Sequence, residues 1–280
     1  MKVKIAKEAG FCFGVKRAMK MAWDELELNS GIYALGPLIH NKQAVQKYED
    51  KGLITVDTIN DIPNNKHVII RSHGVSRDTY NEANSNNLNI IDTTCPFVKK
   101  IHNIVKEFHE NGFKIIIIGD KNHPEIIGIN GWCENSAIII KSNDDLNNLN
   151  LDNSYKYCVV AQTTLNLELY NKIVDILSNK LDNITFKNTI CSATKIRQQA
   201  ARELSVDVDC MVVIGGKHSS NTQKLVNICK EQVPTFAVET KEDLCIYTDK
   251  LKEFDLVGVT AGASTPDWII EDIINFIESL

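Results

Sequence analysis

Three cysteines in this chain share one local pattern. "CFGVK" begins at Cys12, "CPFVK" at Cys95 and "CSATK" at Cys191, each reading Cys-x-x-x-Lys. Each opens an amphipathic stretch of a dozen or more residues, which predicts a thiol at the mouth of a helix. There the helix dipole favours the thiolate over the thiol. Three thiolates drawn from separate parts of a chain suit a soft metal centre. No C-x-x-C occurs anywhere, so neither a zinc ribbon nor the bacterial ferredoxin run is available. An iron–sulfur cluster normally takes four cysteines, and three would leave one iron open to a substrate. The remaining five, Cys133, Cys158, Cys210, Cys229 and Cys245, fall inside helical or strand patterns and read as small buried hydrophobes.

A second set of polar residues keeps the same register. Adding 28 to 12, 95 and 191 gives positions 40, 123 and 219, which are His40, His123 and Ser219. Each follows an apolar run ending in a glycine (Gly36, Gly119, Gly215) and precedes a helical pattern. A further polar loop follows in every third: His73 in "RSHGVS", Thr163 and Thr164 in "AQTTLN", Ser264 in "TAGASTPDW". Helix N-termini with the neutral donors His40, His73, His123, Ser219, Ser220, Asn221 and Ser264 suit a phosphate or diphosphate. Glu125, in "NHPEIIG", is the one acid inside a candidate loop and is the candidate proton donor. A first-turn glutamate complementing the helix dipole is the plainer alternative. His67, His102, His109 and His218 fall outside the register and read as structural. "GGKHSSN" has the wrong spacing for a phosphate-binding P-loop, and no GxGxxG opens a helix, so nucleotide binding is not supported.

The elements that must position these residues alternate along the chain. Runs dense in Ile and Val at 32–36, 67–72, 114–120, 137–141, 157–162, 210–216 and 256–262 predict strands buried on both faces. Amphipathic stretches at 97–110, 166–181, 193–204 and 265–280 predict helices. Asn/Asp clusters at 60–65, 84–89 and 143–153 predict exposed turns. This is the alternation of an α/β protein with parallel sheets. The repeats divide it into 13–94, 95–190 and 191–280, joined by an N-terminal strand in 1–12. In open α/β sheets ligands bind beyond the carboxyl ends of the strands, where all these loops fall. A net charge of −5 makes no global field for nucleic acid or an anionic membrane. No apolar run is long enough to span a bilayer, and no export signal is visible, so the expected location is the cytoplasm.

In order along the chain, "AGFCFGVKRA", "LIHN", "RSHGV", "DTTCPFV", "NHPE", "QTTL", "HSSNT" and "TAGAS" resemble the 4-hydroxy-3-methylbut-2-enyl diphosphate reductase family. The resemblance covers nearly the whole chain. It implies three related α/β domains in a pseudo-threefold trefoil around a central 4Fe–4S cluster held by Cys12, Cys95 and Cys191. It implies a diphosphate bound by His40, His73, Ser219, Asn221 and Ser264, with Ser220 and His123 adjoining. Glu125 and Thr163 are then expected to face the substrate hydroxyl and supply or relay protons. The implied reaction is a two-electron reductive dehydroxylation giving isopentenyl and dimethylallyl diphosphates, with electrons from ferredoxin or flavodoxin. The competing reading is a zinc-stabilised phosphometabolite-binding protein, with three cysteines and a histidine closing a tetrahedral site. The zinc site by itself leaves the Ser, Asn and Thr loops and Glu125 idle.

The register of the three cysteines makes a direct prediction. Replacing Cys12, Cys95 or Cys191 with Ser abolishes or severely impairs retention of an iron–sulfur cluster, whereas changing Cys229 or Cys245 leaves it nearly intact. Iron and sulfide content with the visible spectrum of anaerobically reconstituted variants checks this. Loss on Cys229→Ser with full occupancy in Cys95→Ser would reverse the assignment.

Overall fold

The structure, a computed structural model, describes the chain except residues 143, 144, 147, 148 and 150. Those five, part of the turn expected at 143–153, lie outside the described residues. The chain divides into two compact units. Unit 1 comprises 1–16, 39–50 and 192–280, and unit 2 comprises 17–38 and 51–191.

Unit 2 holds two four-stranded parallel sheets. The first contains β2 (Ile32–Leu35), β3 (Leu53–Val56), β4 (His67–Ile70) and β5 (Asn89–Asp92), in the order β3-β2-β4-β5. The second contains β6 (Lys114–Ile118), β7 (Ile138–Ile140), β8 (Tyr157–Ala161) and β9 (Ile184–Phe186), in the order β7-β6-β8-β9. Unit 1 holds the third: β1 (Lys2–Ile5), β10 (Cys210–Ile214), β11 (Thr235–Val238) and β12 (Leu256–Ala261), ordered β1-β12-β10-β11. All three sheets share one plan. An interior strand ends in a glycine, and that glycine's N–H donates to the neighbouring edge strand: Gly36 to Val56 O at 2.8 Å, Gly119 to Ile140 O and Gly215 to Val238 O at 2.9 Å each.

Eleven helices are described: α1 (Phe13–Leu28), α2 (Lys42–Glu49), α3 (Arg77–Ser85), α4 (Pro96–Glu110), α5 (Pro124–Asn130), α6 (Leu167–Lys180), α7 (Ser192–Ser205), α8 (Ser220–Lys230), α9 (Lys241–Cys245), α10 (Thr248–Leu251) and α11 (Asp267–Ser279). Among the described residues, no helix is long and apolar enough to cross a membrane.

The second sheet of unit 2 shows why continuous Ile/Val runs form these strands. Alternate residues of a strand face opposite sides. Ile116 and Ile118 pack with Tyr170, Ile173 and Leu177 of α6. Ile115 and Ile117 pack with Ile101 and Val105 of α4 and Ile126 and Ile129 of α5. Each such isoleucine is worth roughly 1.5–3 kcal/mol when fully buried. The same layering covers β10, whose Val212 and Ile214 meet α11 residues such as Ile273, while Met211 and Val213 meet Leu225 and Val226 of α8.

Strands β1, β3, β5, β9 and β11 are not among those expected from apolar runs. They lie at sheet edges and are only partly buried. Edge positions admit Lys, Asn and Thr, which break the continuous hydrophobic signal.

One packing feature couples the core to pH. His102 of α4 is 2 % exposed and stacks on Trp132, with ring centroids 5.1 Å apart. It lies directly beneath Gly74, at φ +72°, where an added Cβ would meet the imidazole at 2.5 Å. Burial lowers its pKa from 6.5 to about 4, with Lys99 adding to the effect and Asp92 opposing it. Between those two values the unfolded chain binds more protons than the folded one, so stability falls as pH drops through that window. The shift corresponds to about 3 kcal/mol. His102→Phe keeps a ring against Trp132 and removes the titrating group. Denaturant unfolding of both proteins from pH 7 to pH 4 is expected to show a wild-type-minus-variant difference that shrinks on acidification. A pH-independent difference would show that His102 does not titrate this way.

Candidate active site

Every cysteine of the repeat follows the fourth strand of its sheet in the shared plan: Cys12 follows β1, Cys95 follows β5 and Cys191 follows β9. The backbone N–H of each donates to a carbonyl two residues past the end of β12, β4 or β8. The pairs are Cys12 to Ala263 at 3.3 Å, Cys95 to Ser72 at 3.0 Å and Cys191 to Thr163 at 3.0 Å. One bond, made three times, ties each thiol to the loop carrying the second polar residue. Position three past those strands is His73, Thr164 or Ser264.

The eight thiols separate by environment. Cys12, Cys95 and Cys191 are half-buried at helix mouths. Burial pushes the Cys133 thiol up to about 11 and those of Cys158, Cys210 and Cys229 up to about 12. Those four are inert packing groups. Cys245 departs from the buried reading: it is the last residue of the five-residue α9 and is exposed. The adjacent Leu244 takes the buried position of this helix, and Cys245 faces outward. The donor set thus fits a thiolate-bound cluster, with three half-buried cysteines in equivalent places and four others protonated by burial.

Unit 2 builds an acid group. His123 is the N-cap of α5, and its Nδ1 accepts from the Glu125 N–H at 3.1 Å. That bond fixes the neutral tautomer, leaving the proton on Nε2. His123 therefore caps the helix that carries Glu125. The His73 ring stands edge-on to that of His123, centroids 5.5 Å apart. Glu125 opens the same helix but is only 3 % exposed. Thr163 bonds both oxygens of its carboxylate: the Thr163 N–H donates to Oε1 at 2.6 Å and the Thr163 hydroxyl to Oε2 at 2.7 Å. Gln162, which the sequence reading did not single out, links the loops beneath them. It accepts from the Asp120 N–H and donates to the Thr164 hydroxyl, both at 3.2 Å. A glutamine just past a strand carries no distinguishing sequence signal.

Unit 1 carries the other polar candidates, His40, Ser219, Ser220, Asn221 and Ser264. Ser219 caps α8, its hydroxyl accepting from the Thr222 N–H at 3.3 Å. The hydroxyl proton of Ser219 remains available to donate. The His40 carbonyl presses on Gly216 where a Cβ would stand, so glycine there lets the His40 loop approach the β10 loop. Asn221 is 3 % and Ser264 7 % exposed. Yet neither Oδ1 nor Nδ2 of Asn221, nor Oγ of Ser264, has a hydrogen-bond partner among the described residues. Leaving buried polar atoms unsatisfied costs about 1–3 kcal/mol each. Such atoms at a helix N-terminus suit an oxyanion ligand.

The histidines outside the register have other partners. His67 bonds the Glu25 carboxylate at 3.0 Å, His109 lies 3.8 Å from Glu134, His102 is buried on Trp132, and His218 is exposed.

Residues 3–278 match the LytB protein family. The chain is 65% identical over the whole of both chains to a protein of Clostridioides difficile (strain 630), a 4-hydroxy-3-methylbut-2-enyl diphosphate reductase. It is 49% identical, again over the whole of both, to the protein of that name from Alkaliphilus oremlandii (strain OhILAs). Among solved structures it is similar to the E-1-hydroxy-2-methyl-but-2-enyl-4-diphosphate reductase of Plasmodium falciparum, with a TM-score of 0.93 and 32% identity. That likeness covers 98% of this chain and 87% of the other. It is also similar, at 37% identity and a TM-score of 0.73 over the whole of both chains, to a structure described as the terminal enzyme of the non-mevalonate pathway.

Proposed function

The chain belongs to the LytB protein family, and from that premise we propose how its residues carry out the reductive dehydroxylation of 4-hydroxy-3-methylbut-2-enyl diphosphate. The observation that carries the reading is the buried Glu125 carboxylate bound at both oxygens by Thr163. In the overall reaction the C–O bond of the hydroxyl breaks, and a proton on the departing oxygen gives water. Two electrons and a second proton form the new C–H bond. Placing that proton on one or the other end of the allylic system gives isopentenyl or dimethylallyl diphosphate.

Cys12, Cys95 and Cys191 hold a 4Fe–4S cluster, and we read the chain as domains 13–94, 95–190 and 191–280, with strand 1–12 completing the third sheet. The matching strand orders and the thrice-repeated cysteine hydrogen bond support this. Such a cluster, when bound, would supply the two electrons, and three thiolates would leave one of four irons without a protein ligand. Electrons reach it from ferredoxin or flavodoxin, in the cytoplasm, where thiols stay reduced.

The diphosphate is held by His40, His73, Ser219, Ser220, Asn221 and Ser264, with His123 Nε2 adjoining. The unsatisfied Asn221 and Ser264 side chains support that assignment most directly. The proton comes from Glu125. When Oε2 is protonated the bond to Thr163 reverses: the carboxyl donates to Oγ1, freeing the threonine hydroxyl to donate onward. The Thr163 N–H stays on Oε1 in both states and holds the carboxyl still.

Two measurements test this division. Diphosphate binding is uniform between ground and transition states, so Asn221→Ala raises KM with little change in kcat. Loss of a hydrogen bond to a charged group weakens pyrophosphate binding by about 10- to 150-fold. Unchanged affinity in both Asn221→Ala and Ser264→Ala would contradict the anion site. Glu125→Gln preserves both contacts with Thr163, its Oε1 accepting the N–H and its amide donating to Oγ1. It cannot cycle a proton, so kcat falls by about 10²-fold or more while the cluster's spectral response to substrate persists. Near-normal turnover would move the donor role to His123 or water.

A further inference from the structure

Arg197, on α7, heads the largest fully buried side chains and is 1 % exposed. It lies six residues after Cys191, yet its guanidinium reaches the loop before a different cysteine. Its Nη2 donates to the Gly10 carbonyl at 2.9 Å, and its Nη1 donates to the Ala193 carbonyl of its own helix at 3.3 Å. Gly10 stands two residues before Cys12, at φ +91°. A Cβ there would meet Ile270 at 2.9 Å, Asp267 at 3.2 Å and the Thr265 carbonyl at 3.3 Å, so the loop is pressed close against the start of α11. The loop is therefore fastened at three points: Gly10 N–H to Ala261 O, Cys12 N–H to Ala263 O, and Arg197 to Gly10 O.

The device recurs in weaker form. Arg17, on α1 five residues after Cys12 (12 + 5 = 17), donates from Nη1 to the Thr94 carbonyl at 3.4 Å, one residue before Cys95. In both cases an arginine on the helix that follows one cysteine holds the carbonyl just upstream of another.

We propose that Arg197 is a positioning residue for Cys12 and a fixed buried positive charge that raises the reduction potential of the cluster, with Arg17 as the partly exposed counterpart for Cys95. The proposal rests on the reading that Cys12 and Cys95 ligate that cluster. Two residues of chain span at most about 7 Å, which keeps the Arg197 fork close to the Cys12 thiolate. A guanidinium is charged at every accessible pH, and in a low-dielectric interior its field is little screened. Net charge and the hydrogen bonding around the ligands set the potential of a thiolate-bound cluster. A nearby cation favours the reduced, more negative form. The fork geometry holds the loop and the charge sets the potential, and these two roles are separable because lysine keeps only the second.

The test uses the anaerobically reconstituted full-length protein and its Arg197→Met, Arg197→Lys, Arg17→Met and Cys12→Ser variants. Iron content, the midpoint potential from a spectroscopic redox titration, and the rate of iron release to a chelator are read, with circular dichroism confirming the fold. Arg197→Met lowers the midpoint potential and speeds iron release by about 10-fold or more. Arg197→Lys speeds release but keeps the potential near the wild-type value, and Arg17→Met shifts both in the same direction by less. Wild-type potential and release rate in Arg197→Met overturn the proposal. Should that variant not fold, Arg197→Lys decides: faster release at unchanged potential supports it, and unchanged release overturns it. Cys12→Ser separates the two levels, because retention of a full cluster there overturns the ligand reading itself.

Discussion

The hydrogen bond from each repeat cysteine to the loop past the third strand is the constraint on which the site depends. It joins the end of one strand-to-helix junction to the end of another, at the carboxyl edge of a parallel sheet. A cysteine placed this way cannot sink into the core, because the helix begins at once and its first N–H groups face outward. The buried cysteines show the contrast. Cys158 and Cys210 sit within β8 and β10, where burial holds their thiols protonated. Position relative to the sheet edge separates a ligand from a packing residue with the same side chain.

From this common frame the two units take different chemistry. In unit 1 the loops carry donors whose buried atoms await an acceptor: Asn221 and Ser264 beside the capped start of α8. In unit 2 the equivalent loops carry Glu125 and Thr163, which satisfy each other. An anion site must keep its donors free until the ligand arrives. A proton donor must instead be held in a single geometry with its proton mobile. On the proposed roles, one strand–loop–helix scaffold serves both demands.

Much of this was legible in the sequence because each signal was repeated. A single Cys-x-x-x-Lys says little, but three in register with His40, His123 and Ser219 specify equivalent junctions. The interior strands announced themselves by unbroken Ile/Val runs, since both faces are covered. Apart from β7, the edge strands did not: "KVKI" and "NIID" are partly exposed and carry polar residues that look like loop. Cys245 closes a helix whose buried position is taken by Leu244, and that one-residue difference in facing is not visible in so short a pattern. Arg197 was invisible for a different reason. One arginine in "TKIRQQA" resembles any solvent-facing helix residue until the fold brings Gly10 to it.

If Cys12, Cys95 and Cys191 are the cluster's ligands, three thiolates and no fourth would hold it, leaving one iron for the substrate. Mössbauer spectroscopy of the iron-57 reconstituted protein, with and without substrate, tests it most directly. The account predicts one iron environment distinct from the thiolate-bound remainder, and predicts that this component alone changes markedly when the allylic diphosphate is added. Irons that are all alike and unmoved by substrate, or a protein that takes up zinc in place of iron and sulfide, would contradict it.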